Sequence, residues 1–361
     1  MEPATFRQQF PVCAEQAYFN AGTCGPLPRA GVEATTAIGR QALTEGRWKG
    51  YYEQLIATVG RLRGKYASLL GAPEGDVSVT TSTSEGIVRV LLGLDLQRGD
   101  EIVTARDEHP GLLGPLAAAR DRLGVTVREV PLGEIAGAVS PATRLVACSH
   151  VAWSTGELAP ALTGLPDDLP VLLDGAQGAG AVPVPVRELG CAFYAASGQK
   201  WLCGPVGTGL LWVDPAWRAR VHAAGPTYMN LDGPERGIDA RAWQDGRGLD
   251  AVSMSLEAAA GAEAAFDVLA AFGFDALHER AATLAARLAD ALAAGGRDVA
   301  PRGNTTLVSW TSEDAEAEAT RLVEQGIIVR SFPGLPYIRA SVGAWNDQSD
   351  VDRLVAAATS A

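Results

Sequence analysis

Between residues 77 and 213 the chain alternates short apolar runs with helix-like stretches, and this alternation restricts the fold more than any other feature. VSVT (77–80) precedes a helix through IVRVLLGL (87–94), and EIVTA (101–105) precedes a helix through LLGPLAAARDRL (112–123). TVREVPL (126–132), RLVACSHV (144–151), VLLD (171–174), AFYAAS (192–197) and TGLLWV (208–213) read as further strands. Short runs that are apolar throughout suit strands buried on both faces. Intervening helices supply the crossovers that parallel strands need. The expected class is α/β, with a mostly parallel sheet covered on both sides.

The flanks read differently. Tyr18–Pro28 (YFNAGTCGPLP) is a Gly- and Pro-rich loop, and Arg29 to about Leu70 reads as helical. After about Ala224 the pattern changes to a loop-like stretch (224–250), followed by two Ala-rich helices near 251–272 and 274–295. TTLVSW (305–310), a helix near 313–325, GIIVRS (326–331), PYIRASV (336–342) and a helix near 347–360 then suggest a small α+β unit. The expected division is an arm and access loop (1–28), a large domain (29–250) and a smaller C-terminal domain (251–361). With 361 residues, 47% of them hydrophobic, the chain can bury cores for both.

Charge and cysteine usage narrow the function. A net charge of −12 argues against nucleic acid as a partner. The five Cys are odd in number and form no CxxC pair, and the four His form no HExxH, so no metal is expected. MEPATFRQQFPVC lacks the regions of a signal peptide, and no apolar run is long enough for a membrane span. The expected location is the cytoplasm.

The chemistry concentrates in 171–209. VLLDGAQGAG ends a strand on Asp174, and YAASGQKW places Lys200 just past another. Carboxyl ends of parallel strands line the ligand crevice, so the two groups can converge on one ligand. An amine that can form a Schiff base and an acid beside it are what pyridoxal phosphate requires: Lys200 to hold the aldehyde, Asp174 to keep the pyridine nitrogen protonated. Gln177 can reach the ring hydroxyl. TTSTSEG (80–86) sets Ser82, Thr83 and Ser84 at a helix N-terminus, a ready anion site for the phosphate, with Ser197 and Gln199 adding contacts. Each residue also has a bland reading: a surface lysine for Lys200, an N-cap for Asp174, and a Ser-x-x-Glu capping box for Ser82 and Glu85. GAQGAG lacks the order of a dinucleotide fingerprint, and GQKW is not a P-loop.

These motifs resemble the class V aminotransferase and cysteine desulfurase family, a branch of the fold-type I pyridoxal-phosphate enzymes. The family's Asp-x-x-Gln matches Asp174 and Gln177, and its Ser-x-His-Lys matches Ser197, Gln199 and Lys200 with Gln in place of His. Its Gly-Thr-Thr-Glu matches Ser82–Glu85, and its C-terminal Arg-x-Ser and Tyr-Asn match Arg339, Ser341, Trp345 and Asn346. The resemblance implies that Arg339 clamps a substrate α-carboxylate and that Asn20 and Ala21 of the access loop meet substrate. It implies that His109 stacks on the cofactor ring and acts beside Lys200 and Asp174. It further implies a homodimer, in which Arg247 reaches the partner's phosphate.

Two departures bear on the reaction. The family's Asn near the ring hydroxyl aligns with Trp153, which then shapes the substrate pocket. The desulfurase cysteine before the carboxylate-binding Arg is missing from RSFPGLPYIR (330–339). The expectation is therefore a C–S lyase acting by β-elimination on a cysteine-derived α-amino acid, not a persulfide-forming desulfurase. The alternatives are an isopenicillin N epimerase-like enzyme, an aminotransferase, and, remotely, a non-catalytic cofactor-binding partner protein.

Overall fold

The computed structural model describes residues 1–223 and 226–360. Ala224, where the sequence pattern changes, Gly225 and the expected domain end Ala361 lie outside the described residues. In chain order the strands are β1 (Ala17–Tyr18), β2 (Val77–Thr80), β3 (Glu101–Ala105), β4 (Thr126–Val130), β5 (Thr143–Ser149), β6 (Val171–Asp174), β7 (Phe193–Ser197), β8 (Gly209–Val213), β9 (Leu231–Asp232), β10 (Arg241–Ala242), β11 (Leu307–Thr311), β12 (Ile327–Ile328), β13 (Arg330–Ser331) and β14 (Tyr337–Ser341).

Seven of them form one sheet in the order β2-β8-β7-β6-β5-β3-β4. Neighbours from β4 through β7 run parallel, while β8 is antiparallel to both β7 and β2. β2, β6, β7 and β8 are buried at every residue, whereas the mixed run β4 is a largely exposed edge. Alternate residues feed two cores, as sheet pleating requires. Leu172 and Phe193 pack with Ile87, Leu91 and Leu116 of the helices Thr83–Gly93 and Pro110–Leu123. Leu173 and Tyr194 pack on the other face with Leu62 and Tyr66 of the helix Lys49–Leu70. The expected α/β class with a mostly parallel, doubly covered sheet is the fold observed.

A second sheet, β11-β14-β13, is antiparallel and packs on the helix Phe274–Ala294 through Leu284, Leu288 and Leu292. The N-terminal arm joins this part of the molecule, because β1 pairs in parallel with β12. The helical reading of 29–70 is divided: one helix ends at Glu45 and the next starts at Lys49. Gly46, at φ 75°, turns the chain in a region that costs other residues dearly. Likewise Gly273, at φ 97°, separates the helices Leu256–Phe272 and Phe274–Ala294. The expected strand 126–132 stops at Val130, since Pro131 has no amide hydrogen to pair. Among the described residues no helix is long and apolar enough to cross a membrane.

Candidate active site

The C-terminal ends of β2, β3, β5, β6 and β7 deliver their following segments to one side of the sheet. Asp174 closes β6, directly opposite Ser149 at the end of β5. Its Oδ1 accepts the Ala176 amide hydrogen at 2.9 Å. Burial raises the Asp174 carboxyl above its ordinary value, and Lys200 opposes that rise. Three residues after β7 stands the half-buried Lys200, whose amine is pulled down to about 8 by desolvation, with Asp174 resisting and Arg339 adding to the fall. Acid and amine therefore feel each other's charge.

Ser197 ends β7 and ties it to the helix after β2. Its Oγ accepts the Thr83 amide hydrogen at 3.1 Å and lies 2.7 Å from Thr83 Oγ1. Ser82 caps that helix by accepting from the Glu85 amide at 3.1 Å. The Glu85 carboxylate turns back to the Thr81 amide at 2.6 Å, so the box closes on Thr81 rather than on Ser82. A Cβ built on Gly111 would lie 2.6 Å from Ser84 Oγ and 2.9 Å from His109 Nδ1, so this glycine lets the serine-rich turn and the His109 loop meet.

His109 caps the helix Pro110–Leu123: its Nδ1 accepts from the Gly111 amide at 2.9 Å. The proton of a neutral ring is then on Nε2. Burial, with Lys200 and Arg339 nearby, lowers the imidazole to about 4, so it is uncharged at neutral pH. Its ring sits edge-on to Trp153, with centroids 5.0 Å apart, and Trp153 in turn meets Phe332 at 4.6 Å.

Arg339 lies on β14, fully buried, with its guanidinium carbon 4.9 Å from the Phe332 ring centre. It donates to the Trp153 carbonyl oxygen, yet no carboxylate pairs with it among the described residues. Burial pulls it down to about 9, and Arg330, its cross-strand partner on β13, adds to that fall. The access loop closes over this guanidinium. Asn20 bridges to Ser341, Ala21 is buried, and a Cβ on Gly22 would lie 2.5 Å from the Arg339 Nη2.

Not every candidate joins the cluster. Gln177 reaches the site through the access loop: Nε2 donates to the Gly22 carbonyl at 2.8 Å and Oε1 accepts from Trp201 at 2.9 Å. Arg247 forks onto Asp245, its Nη2 2.7 Å from Oδ2, and lies over the Trp243 ring at 3.5 Å. Gln199 binds Gly25 through its backbone carbonyl, leaving a buried side-chain oxygen without a partner. Three residues near the site escaped the sequence reading: Glu108, Arg330 and Phe332. Each sits in a loop or short strand whose periodicity gives no signal; only the adjacency of Glu108 to His109 offered one.

The family model for class V aminotransferases matches residues 47–354. The chain belongs to the class V aminotransferase family. It is a pyridoxal-phosphate-dependent enzyme, and its fold is that of fold-type I members of the group. Among relatives, it is 28% identical to the cysteine desulfurase CsdA of Escherichia coli, covering 98% of this chain and 96% of that protein. It is 27% identical to isopenicillin N epimerase of Streptomyces clavuligerus over 58% of this chain. It spans 56% of that epimerase, about half the length of this and some other curated relatives. Among solved structures, the cystine C–S lyase C-DES, in complex with its product cysteine persulfide, superposes with a TM-score of 0.91 at 26% identity, covering 97% of this chain and 99% of that one.

The residues present fit the cofactor of this class V enzyme. A desolvated amine with a lowered pKa lies within electrostatic reach of a buried acid. Buried polar atoms of Asn20, Gln199, Arg339 and Ser341 lack protein partners, which is costly unless something else pairs with them.

Proposed function

We propose that this enzyme cleaves the Cβ–S bond of a cysteine-derived amino acid by β-elimination. The observation that carries the reading is the β13–β14 hairpin: Arg330 and Arg339 face each other across it, and its connection holds no cysteine. The likeness to C-DES supports the same class of reaction. The sequence expectation went further and excluded persulfide as a product. That exclusion has no support, because C-DES is a C–S lyase whose product is a persulfide. What the missing cysteine argues against is only a persulfide carried on that hairpin.

In this reading Lys200 would hold the cofactor covalently, Asp174 would face the ring nitrogen, and the turn Ser82–Ser84 with Ser197 would take the phosphate. The bound cofactor supplies an electron sink for the pair left at the substrate Cα when its proton departs. Arg339, already desolvated, binds the α-carboxylate through a bidentate pair. Arg330 gives a second guanidinium for a distal carboxylate, which favours a substrate of the cystine type. Once the substrate amine has displaced it from the cofactor, the freed Lys200 Nζ would take the proton from Cα, and its lowered pKa leaves it a neutral base more often than an exposed lysine. Neutral His109 would stack on the ring and add no charge to it. The Trp153 indole and the Asn20–Gly22 loop exclude water from the substrate. We also propose a cytoplasmic homodimer, with Arg247 as the candidate contact to the partner's phosphate; the five free cysteines fit a reducing compartment.

The deciding experiment follows pyruvate, Cα-proton exchange and amino-group transfer over a panel of cystine, cysteine, S-substituted cysteines and other α-amino acids. Pyruvate from a cysteine derivative is expected. Proton exchange without pyruvate from any member would replace the lyase by the epimerase reading, and cofactor binding with no response to any amino acid would favour a non-catalytic role.

A further inference from the structure

Glu108 is a buried carboxyl next to His109 that the chemistry above leaves unused. Its Oε1 accepts the Ser149 amide hydrogen at 2.7 Å, and its Oε2 makes a short contact with Ser149 Oγ. Ser149 ends β5 in register with Asp174, and the next amide, of His150, donates to the Asp174 carbonyl oxygen at 2.9 Å. One side chain thus binds the His109 loop, by two points, to the strand end that flanks the cofactor-facing acid. A carboxyl with both oxygens engaged can hold a loop in one orientation; a single hydrogen bond would leave it free to swing.

We propose that Glu108 is a positioning residue that sets the His109 imidazole against the cofactor ring through its two-point hold on Ser149. The inference rests on the reading that His109 stacks on that ring. The carboxyl borders a cavity of about 170 Å³, lined also by Asp107, Leu132, Ser154 and Glu157, so the loop is incompletely packed on that side. Burial pushes Glu108 up to about 7, against the two Ser149 hydrogen bonds and with help from Asp174. The hold is therefore compatible with an uncharged side chain, and Gln can reproduce it: its oxygen accepts from the Ser149 amide and its NH₂ donates to Ser149 Oγ.

The test reads the visible circular dichroism of the cofactor-loaded protein and its cofactor affinity by dialysis, with melting curves to verify folding. His109→Ala is expected to change the cofactor band; no change would defeat the stacking reading itself. Given that change, Glu108→Ala should reproduce the His109→Ala band, the double variant should add nothing further, and Glu108→Gln should restore the wild-type band. A wild-type band in Glu108→Ala, or additive changes in the double variant, would overturn the proposal. Should Glu108→Ala fail to fold, Ser149→Ala, which removes one of the two points, carries the same test: a shift toward the His109→Ala band supports the hold, and a wild-type band overturns it.

Discussion

The main-chain carbonyl oxygen of Trp153 accepts a hydrogen bond from the Arg339 guanidinium, so the segment after β5 and strand β14 meet at one residue. The same tryptophan donates its indole hydrogen to the Asp107 carbonyl at 2.9 Å and wedges between His109 and Phe332. The large sheet, whose strand ends carry Asp174 and Lys200, and the second sheet, which carries Arg339, are thereby tied to each other. The joint is local and polar at its centre, with aromatic edges around it. An anion bound at Arg339, as proposed, would act on this joint directly.

Arg339 is buried without a carboxylate partner, which costs stability in the absence of substrate. Replacing it by Met, of similar length, is expected to leave the melting temperature unchanged or raised. The same change should weaken amino-acid binding by at least roughly thirtyfold, the low end of about 2–5 kcal/mol for losing one partner of a desolvated charge pair. Melting curves and titrations with a non-reacting amino acid measure the two effects separately. Arg339→Lys should recover little, since an ammonium cannot form the bidentate pair.

The Lys200 amine, lowered from 10.5 to about 8 chiefly by burial, gives a pH prediction. Between those values the unfolded chain carries the proton that the folded apoprotein has lost, so stability of the apoprotein rises with pH through that window. The neutral amine is also the form that attacks an aldehyde. The rate at which apoprotein takes up cofactor should therefore climb through about pH 8 and level off above it. Stopped-flow absorbance measures this, and Lys200→Ala should show neither the covalent uptake nor the slope.

Much of this was legible in the chain because the information is local. Asp174 ends β6 and Lys200 follows β7 by three residues, and the parallel class of these largely apolar strands fixes where their ends point. Gln177 and Arg247 were less readable for the opposite reason. Gln177 lies at the right spacing from Asp174, but Gly22, 155 positions away, uses its amide. Arg247 has its charge taken by Asp245, two residues before it, in a tight turn that charge pattern alone does not reveal. Glu108 reads as an ordinary loop acid until β3 and β5 pair and bring Ser149 beneath it.

The turn at the start of the helix Thr83–Gly93 is asked to cap that helix and to hold a phosphate. Ser82→Ala removes the acceptor for the Glu85 amide and should cost about 1 kcal/mol of stability. Its effect on ligand affinity should depend on the phosphate: binding of pyridoxal phosphate weakens, while binding of pyridoxal, which lacks the phosphate, does not. Equal losses for the two ligands would confine Ser82 to the cap.

Gly22 offers the most selective probe of the access loop. A methyl group there would meet Arg339 Nη2 at 2.5 Å and Ser341 Oγ at 2.7 Å, inside any tolerable contact. Its neighbours cannot retreat easily, because Ala21 is buried and the Phe19 carbonyl is held by the Ser341 amide at 2.8 Å. The guanidinium is the movable group, so Gly22→Ala should displace Arg339 from its hydrogen bond to Trp153 while leaving Lys200, Asp174 and the phosphate turn in place. The expected outcome is a raised KM for amino acid with cofactor affinity and the visible spectrum near wild type. A variant that lost cofactor and substrate together would mean that the loop supports the whole site rather than its carboxylate end.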